Sequence, residues 1–420
     1  MGVRKTWMSV PPRDRLRRLV DLARVYRRWS RQQVAEALGR EASKVVPESG
    51  NPKLDLVMAL SQAMDWEPGH VARCVWSGHG PAQRGGTSPA KGFAELEVEA
   101  MVTARAGQWL RLGHLARAMG AAAREGCERA TAAHLHAVAC AGEGRFTDAL
   151  RHAQSGLREC DVPGQTQLLL MRDLACAHDA LGHLVESGAV ATQIIGRIGA
   201  APHVHEAREC AAGAFWIRAN ASRRRIDTDA AFAQRHAEDA SADLHAAMSA
   251  FDGIARDFPG HSAGAMSHRC AGALVECSAV MGDVAPAAAV HRIEAALDAV
   301  VDVDQYPAGE WLESYGWWAV FGCTIALRSL AGAPMQRAMA VFTNKAAEIA
   351  ERVDSWTLRE RAFTLEHTRR ERANDEAGIE AEWILDRDEM RMVAGAVGRF
   401  PAFRDTGMEI LATARLLEPS

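Results

Sequence analysis

The chain has 420 residues, with 49 Lys+Arg against 53 Asp+Glu for a formal charge of −4, and apolar residues make up 48%. That is enough apolar material for more than one core, and it excludes a disordered or collagen-like chain. Nine cysteines stand singly with no CxxC, which reads as reduced cytoplasmic thiols packed as small hydrophobes, not as a disulfide frame or zinc site.

The N-terminus is basic but has no apolar signal core, and the longest uncharged apolar run, Gly316–Leu327, is too short to span a bilayer. Met1–Thr6 matches the short myristoylation pattern, which is common by chance and has no companion signal here.

Arg13–Trp29 is amphipathic, with Leu16, Leu19, Val20, Ala23 and Tyr26 at helical spacing and arginines on the other faces. Ser30 then offers an N-cap, and Gln33 three residues on completes a capping box. Val34, Ala35 and Leu38 give the stripe of a short helix that Gly39 ends. A second segment, Arg40–Val46, carries Glu41, Ser43 and Lys44 outward and Ala42, Val45 and Val46 inward. Pro47, Ser49, Gly50, Asn51 and Pro52 form a turn cluster. Leu54, Val57, Met58, Leu60 and Ala63 mark a further helix, and Trp66, Pro68 and Val71 open the last one. Short helices joined by tight turns are what a helix-turn-helix unit requires.

The order S-RQQVAEALG, a turn, then NPKLDLVMALSQAMDWEPGHV resembles the Xre/Cro-like helix-turn-helix family over roughly Arg13–Trp76. The resemblance makes Ser30–Leu38 the helix that crosses the phosphate backbone and Arg40–Val46 the recognition helix. It implies double-stranded DNA as a partner. Arg31, Gln32, Ser43 and Lys44 would reach the bases, Arg40 and Lys53 the phosphates, and Asn51 would lie near the backbone. The stretch between Gly39 and Asn51 is shorter than the family pattern, and Pro47 truncates it. Either the recognition helix is clipped, or this copy does not read sequence. Charge points the same way as the motif. Residues 1–80 hold 14 Lys+Arg and 8 Asp+Glu, a net of +6, which leaves −10 on residues 81–420.

Ser77–Gly92 is rich in Gly, Pro and Ser and reads as a linker between a domain over 1–76 and one over 93–420. From Phe93 onward only helical signals occur. Gly107, Gly144, Gly182, Gly282 and Gly332 each follow one apolar helix and open another, the first three at spacings of 37 and 38. Helix–Gly turn–helix at such a period signals stacked hairpins. Ala132–Glu159 resembles the tetratricopeptide pattern, with G-R-F at the turn and Ala149 and Ala153 where helices approach closely. An Arg-rich insertion is expected near Ser222–Arg225. The fold class expected is therefore all-α, a helix-turn-helix domain followed by a TPR-like α-solenoid.

Candidate chemistry is sparse. His205-Glu206 lacks the second His of a zincin motif, and His134 and His136 point to different faces of a helix. No nucleophile elbow, P-loop or dinucleotide fingerprint occurs, so no catalytic residue, metal ligand or cofactor is expected, and the chain is not expected to be an enzyme. Trp311, Tyr315 and Trp318 share one helix face and either wall a peptide groove or form inter-repeat core. Asn220, with Arg223 nearby, either holds a peptide backbone or caps a helix before a basic turn.

The combination resembles the peptide-responsive bacterial regulators grouped as RRNPP, which include the phage arbitrium receptors of lysis–lysogeny and quorum-sensing circuits. That resemblance implies a cytoplasmic, homodimeric transcription factor whose solenoid binds a small peptide or protein ligand. The competing reading is a TPR-type protein–protein adaptor with a degenerate head.

Overall fold

The computed structural model describes residues 12–47, 52–64, 66, 68–76, 92–199, 205–258, 262–377 and 383–416. Most of these residues are helical, joined by turns, and the strands among them are one parallel two-residue pair, Ile384–Leu385 and Arg415–Leu416. The helices are α1 (Pro12–Arg27), α2 (Arg31–Ala37), α3 (Leu54–Met64), α4 (Pro68–Trp76), α5 (Phe93–Arg105), α6 (Trp109–Ala122), α7 (Gly126–Gly142), α8 (Phe146–Leu157), α9 (Gly164–Ala180) and α10 (Leu184–Ile198). They continue as α11 (His205–Arg225), α12 (Ala233–Asp257), α13 (Ala263–Met281), α14 (Pro286–Leu297), α15 (Glu310–Ser329), α16 (Gly332–Arg352), α17 (Trp356–Ala377), α18 (Arg387–Arg399) and α19 (Arg404–Thr413). No helix among the described residues is long and apolar enough to cross a membrane.

The chain forms two compact units, residues 1–88 with 380–420, and residues 89–379. The C-terminal segment thus belongs with the head. The expected single body over 93–420 is corrected there: α19 packs on α1, and Gly398 faces the Trp66 ring so closely that a Cβ would meet it at 2.8 Å. The expected linker 77–92 lies, apart from Gly92, outside the described residues.

In the head unit, Leu16, Leu19 and Ala23 of α1 are buried as the stripe requires, joined by Leu22. Arg27 donates from Nε to the Ala63 carbonyl at 2.7 Å, placing a cation on the carbonyl end of α3. The capping box on α2 forms in both directions, Gln33 N–H to Ser30 Oγ at 3.3 Å and Ser30 N–H to Gln33 Oε1 at 2.8 Å. In α3 the buried face is Leu56, Val57, Leu60, Ala63 and Met64; Leu54 and Met58, expected inside, are 68% and 41% exposed. The C-terminal α18 starts on a second capping box, Asp386 with Glu389.

Arg40–Val46 is not a helix. Gly39 adopts φ +64°, which turns the chain out of α2, and the segment's one backbone closure is Lys44 N–H to Glu41 O at 2.8 Å. Pro47 disfavours helical backbone at the residue before it, and the few residues between Gly39 and Pro47 are too few to nucleate a helix. Val45 is buried, but Ala42 faces solvent with Ser43 and Lys44.

The second unit is a run of antiparallel hairpins, α5/α6 through α15/α16, closed by α17. Each helix packs on its sequence neighbour, and most odd-numbered helices also pack on the next odd-numbered one. The turn glycines 107, 144, 182, 282 and 332 all have positive φ, which permits the tight reversals. Ser222–Arg225 is the last turn of the 21-residue α11, not an insertion. Close approach is visible where α13 meets α15: a Cβ on Gly272 would lie 2.7 Å from Trp318 Nε1.

Candidate functional site

The expected DNA-contacting residues that are described lie on α2, on the turn that follows it and just ahead of α3. Arg31 and Gln32 are exposed on the first turn of α2, and Gln32 donates to Glu36 Oε1 at 3.2 Å. Arg40 pairs with Asp55 at 2.8 Å and Lys44 with Glu41 at 2.7 Å, all four side chains being partly or well exposed. Ser43 and Lys53 are exposed, and Asn51 lies outside the described residues. Among the described residues the side chains of Arg24, Arg28, Arg31 and Lys53 have no ion pair or hydrogen bond, so these cations keep their full capacity for phosphate. The exposed pairs of Arg40 and Lys44 contribute about 0–1 kcal/mol each, little enough for a phosphate to displace the carboxylate. An open cleft of about 700 Å³ in the same unit is lined by Arg24, Arg28, Trp29 and Ser30 on one side and Leu411–Arg415 on the other.

Asn220 and Arg223 do not face a groove. Asn220 donates to Asp179 Oδ2 at 2.8 Å and accepts from Arg223 at 2.6 and 3.2 Å. Arg223 donates its remaining edge to Glu276 at 2.7 Å and lies 4.8 Å over the Phe321 ring. The other Glu276 oxygen accepts from Arg328 at 2.6 Å, which also reaches Asp227. Four helices are joined here, α9, α11, α13 and α15. Both Arg223, at 5% side-chain exposure, and Glu276, at 0%, are spent inside the fold. The expected ligand role is thereby replaced by a structural one: every strong donor already has a partner.

Trp311, Tyr315 and Trp318 do converge, but on His268 of α13. The ring centroids lie at 5.6, 4.6 and 4.9 Å, with Trp318 stacked on the imidazole and donating Nε1–H to the His268 carbonyl at 2.8 Å. Ser314 accepts or donates at His268 Nδ1 at 2.8 Å, and burial pushes the imidazole below its ordinary pKa. Trp318 is core at 6% exposure, whereas Trp311 is 46% exposed. The core alternative therefore holds for Trp318.

A row that the sequence did not reveal runs along three odd-numbered helices. Arg269 of α13 lies 5.8 Å over the Trp216 ring of α11 and 5.2 Å over the Trp317 ring of α15. Glu313 pairs with Arg269 at 3.5 Å and also accepts from Trp317 Nε1 and Ser355 Oγ. All of these side chains are half-buried, so the row keeps one face toward solvent. A cation between two indoles gains from both ring faces, and the charge of Arg269, whose side chain is 14% exposed, is met by Glu313. The signal in the sequence was one residue per hairpin, at positions 216, 269 and 317, each unremarkable on its own helix.

A third group joins α7 and α8. The His136 and His152 rings stack with centroids 3.8 Å apart, beside Cys140. Arg145 donates to Cys140 Sγ at 3.3 Å and to Glu143 and Asp148 at 2.6 and 3.1 Å. Burial, and then the neighbouring His152, push His136 down to about 3; burial also lowers His152. On the opposite face of α7, His134 pairs with Asp173 at 2.6 Å, so the two histidines do diverge.

Comparison of the chain with protein-family models, curated proteins and solved structures finds no match.

Proposed function

We propose that the protein is a DNA-binding regulator in which an Xre-like head grips the duplex mainly through its phosphates, and a TPR-like solenoid body binds a peptide or protein ligand. The observation that carries this reading is the head's surface: α2, fixed by its capping box, presents Arg31 without a partner, and Arg24, Arg28 and Lys53 are likewise unpaired among the described residues. Cations left free in a unit that also buries its own core are suited to counterion release on a polyanion. The turn at 40–46 still offers exposed Ser43 and Lys44, but with no helix to enter a major groove it supplies little base readout. Affinity in this reading is largely independent of sequence.

The ligand seat in the body is the Trp216–Arg269–Trp317 row, not Asn220 and Arg223. Aromatic faces supply contact area, and Arg269 exchanges Glu313 for a ligand carboxylate or backbone carbonyl. This reading assigns no catalytic step and takes the protein as a cytoplasmic homodimer.

One observation favours the alternative, a protein–protein adaptor whose head does not read DNA, namely the irregular 40–46 segment. The two separate in a salt series of duplex binding by the full chain. The regulator reading expects a steep fall in affinity with salt, and Arg31→Ala with Lys53→Ala should flatten the slope by about two counterions. Binding that is negligible at low salt, or a slope unchanged in the double variant, sinks it in favour of the adaptor.

A further inference from the structure

We propose that His136, Cys140 and His152 form a binding site for a single borderline transition-metal ion of the Zn²⁺ class, stapling α7 to α8. The ligand atoms of the three side chains all lie within 4.8 Å of one another. His136 and Cys140 are four residues apart on α7 and so share a face. His152 comes from the antiparallel α8, which the left-handed turn at Gly144 folds back alongside. Cys140 is fully buried at the floor and both imidazoles are partly exposed, so an ion reaches the site from solvent past the two rings.

The donor set selects the ion. Two imidazole nitrogens and one thiolate suit Zn²⁺, and three protein ligands leave a fourth position for water. Bonds of about 2.0 to 2.3 Å draw ligand atoms to within about 3.5 Å of each other, and because an imidazole nitrogen binds a metal in its own ring plane, binding rotates the two rings out of their 3.8 Å stack. On binding, the Cys140 S–H bond breaks, its proton goes to solvent, and the sulfur electron pair is donated to the metal, which sheds bound water. The Arg145 guanidinium already donates to this sulfur, and that hydrogen bond survives as support for the thiolate. Glu143 and Asp148 offset the arginine's charge, so the ion does not meet an uncompensated cation.

Sequence motifs hid this group because its third member is twelve residues from the second and on another helix. Of the nine cysteines, Cys140 is the one that stands in a cluster of three metal-ligating side chains among the described residues.

The test is a Co²⁺ titration of the full-length, reduced, chelator-stripped protein, read by its visible and near-ultraviolet absorption. The expected result is tetrahedral ligand-field bands with a thiolate-to-cobalt charge-transfer band that saturate at a single equivalent and are displaced by Zn²⁺. Cys140→Ser should lose the charge-transfer band, while His136→Gln and His152→Gln should weaken binding more than about 10-fold. Cys176→Ser, at an exposed thiol elsewhere, should leave the titration unchanged. Zn²⁺ should raise the thermal midpoint of the parent and not of the three site variants. Metal-free circular dichroism of each variant separates lost binding from lost folding; if Cys140→Ser does not fold, the two His→Gln variants decide. Absence of a charge-transfer band in the parent, its persistence in Cys140→Ser, or unchanged affinity in folded His→Gln variants overturns the site.

Discussion

Two sets of ion pairs in this molecule use the same residue types to opposite ends. In the body, Arg223, Glu276, Arg328 and Asp227 build a network whose centre, Glu276, has no exposure at all. In the head, Arg40–Asp55 and Lys44–Glu41 stand in water. Buried charges have lost hydration and are bound to each other by that loss. Exposed charges have kept it and can exchange partners. An arginine's presence in a sequence therefore says little about its availability; what packs around it decides.

The largest expected effect tests the buried side. Glu276→Gln leaves Arg223 and Arg328 facing a neutral amide where each had a carboxylate oxygen at 2.7 and 2.6 Å. Breaking such a pair costs about 3–5 kcal/mol. Urea denaturation should show that loss as a lower midpoint. Replacing both buried partners with apolar residues, Arg223→Met with Glu276→Leu, should cost much less than the single change. A double variant as unstable as the single one would mean that the network's charges are not what holds the four helices together.

A second, smaller effect concerns a buried group that stays neutral. His136 has an ordinary pKa of 6.5 and is pushed to about 3 in the fold. The unfolded chain thus binds a proton that the folded chain refuses, and stability falls as pH drops from about 6.5 toward about 3. With chelator present, His136→Phe, which keeps a ring against His152, should flatten the pH dependence of stability in that window. An unchanged profile would place the acid sensitivity elsewhere.

Local signals in the sequence translated well and non-local ones did not. The 3.6-residue stripes, the Ser30–Gln33 box and the turn glycines depend on residues close in the chain, and outside Arg40–Val46 they gave the elements they implied, although Leu54 and Met58 of the α3 stripe face solvent. The recognition helix failed because two local breakers, Gly39 and Pro47, outweighed a motif match between them. Asn220 and Arg223 were misjudged because their partners lie 41 and 53 residues away. The return of α18 and α19 to the head had no local signature, since a helix carries no mark of which core it joins. The Trp216–Arg269–Trp317 row and the His136–Cys140–His152 group share that property: each member reads as ordinary core until the hairpins are stacked.

The smallest expected effect tests the exposed side. Arg40→Ala removes a pair whose carboxylate partner is 67% exposed, and the change should cost at most about 1 kcal/mol of stability. Its effect on duplex binding is the informative quantity. If the pair opens to let the guanidinium meet a phosphate, Arg40→Ala should lower the salt slope by about one counterion, as for Arg31. Asp55→Asn should raise affinity by freeing Arg40 and removing a negative charge from the same face. A stability loss of several kcal/mol would put Arg40 with the buried network instead, and the contrast between the two units would fail at that residue.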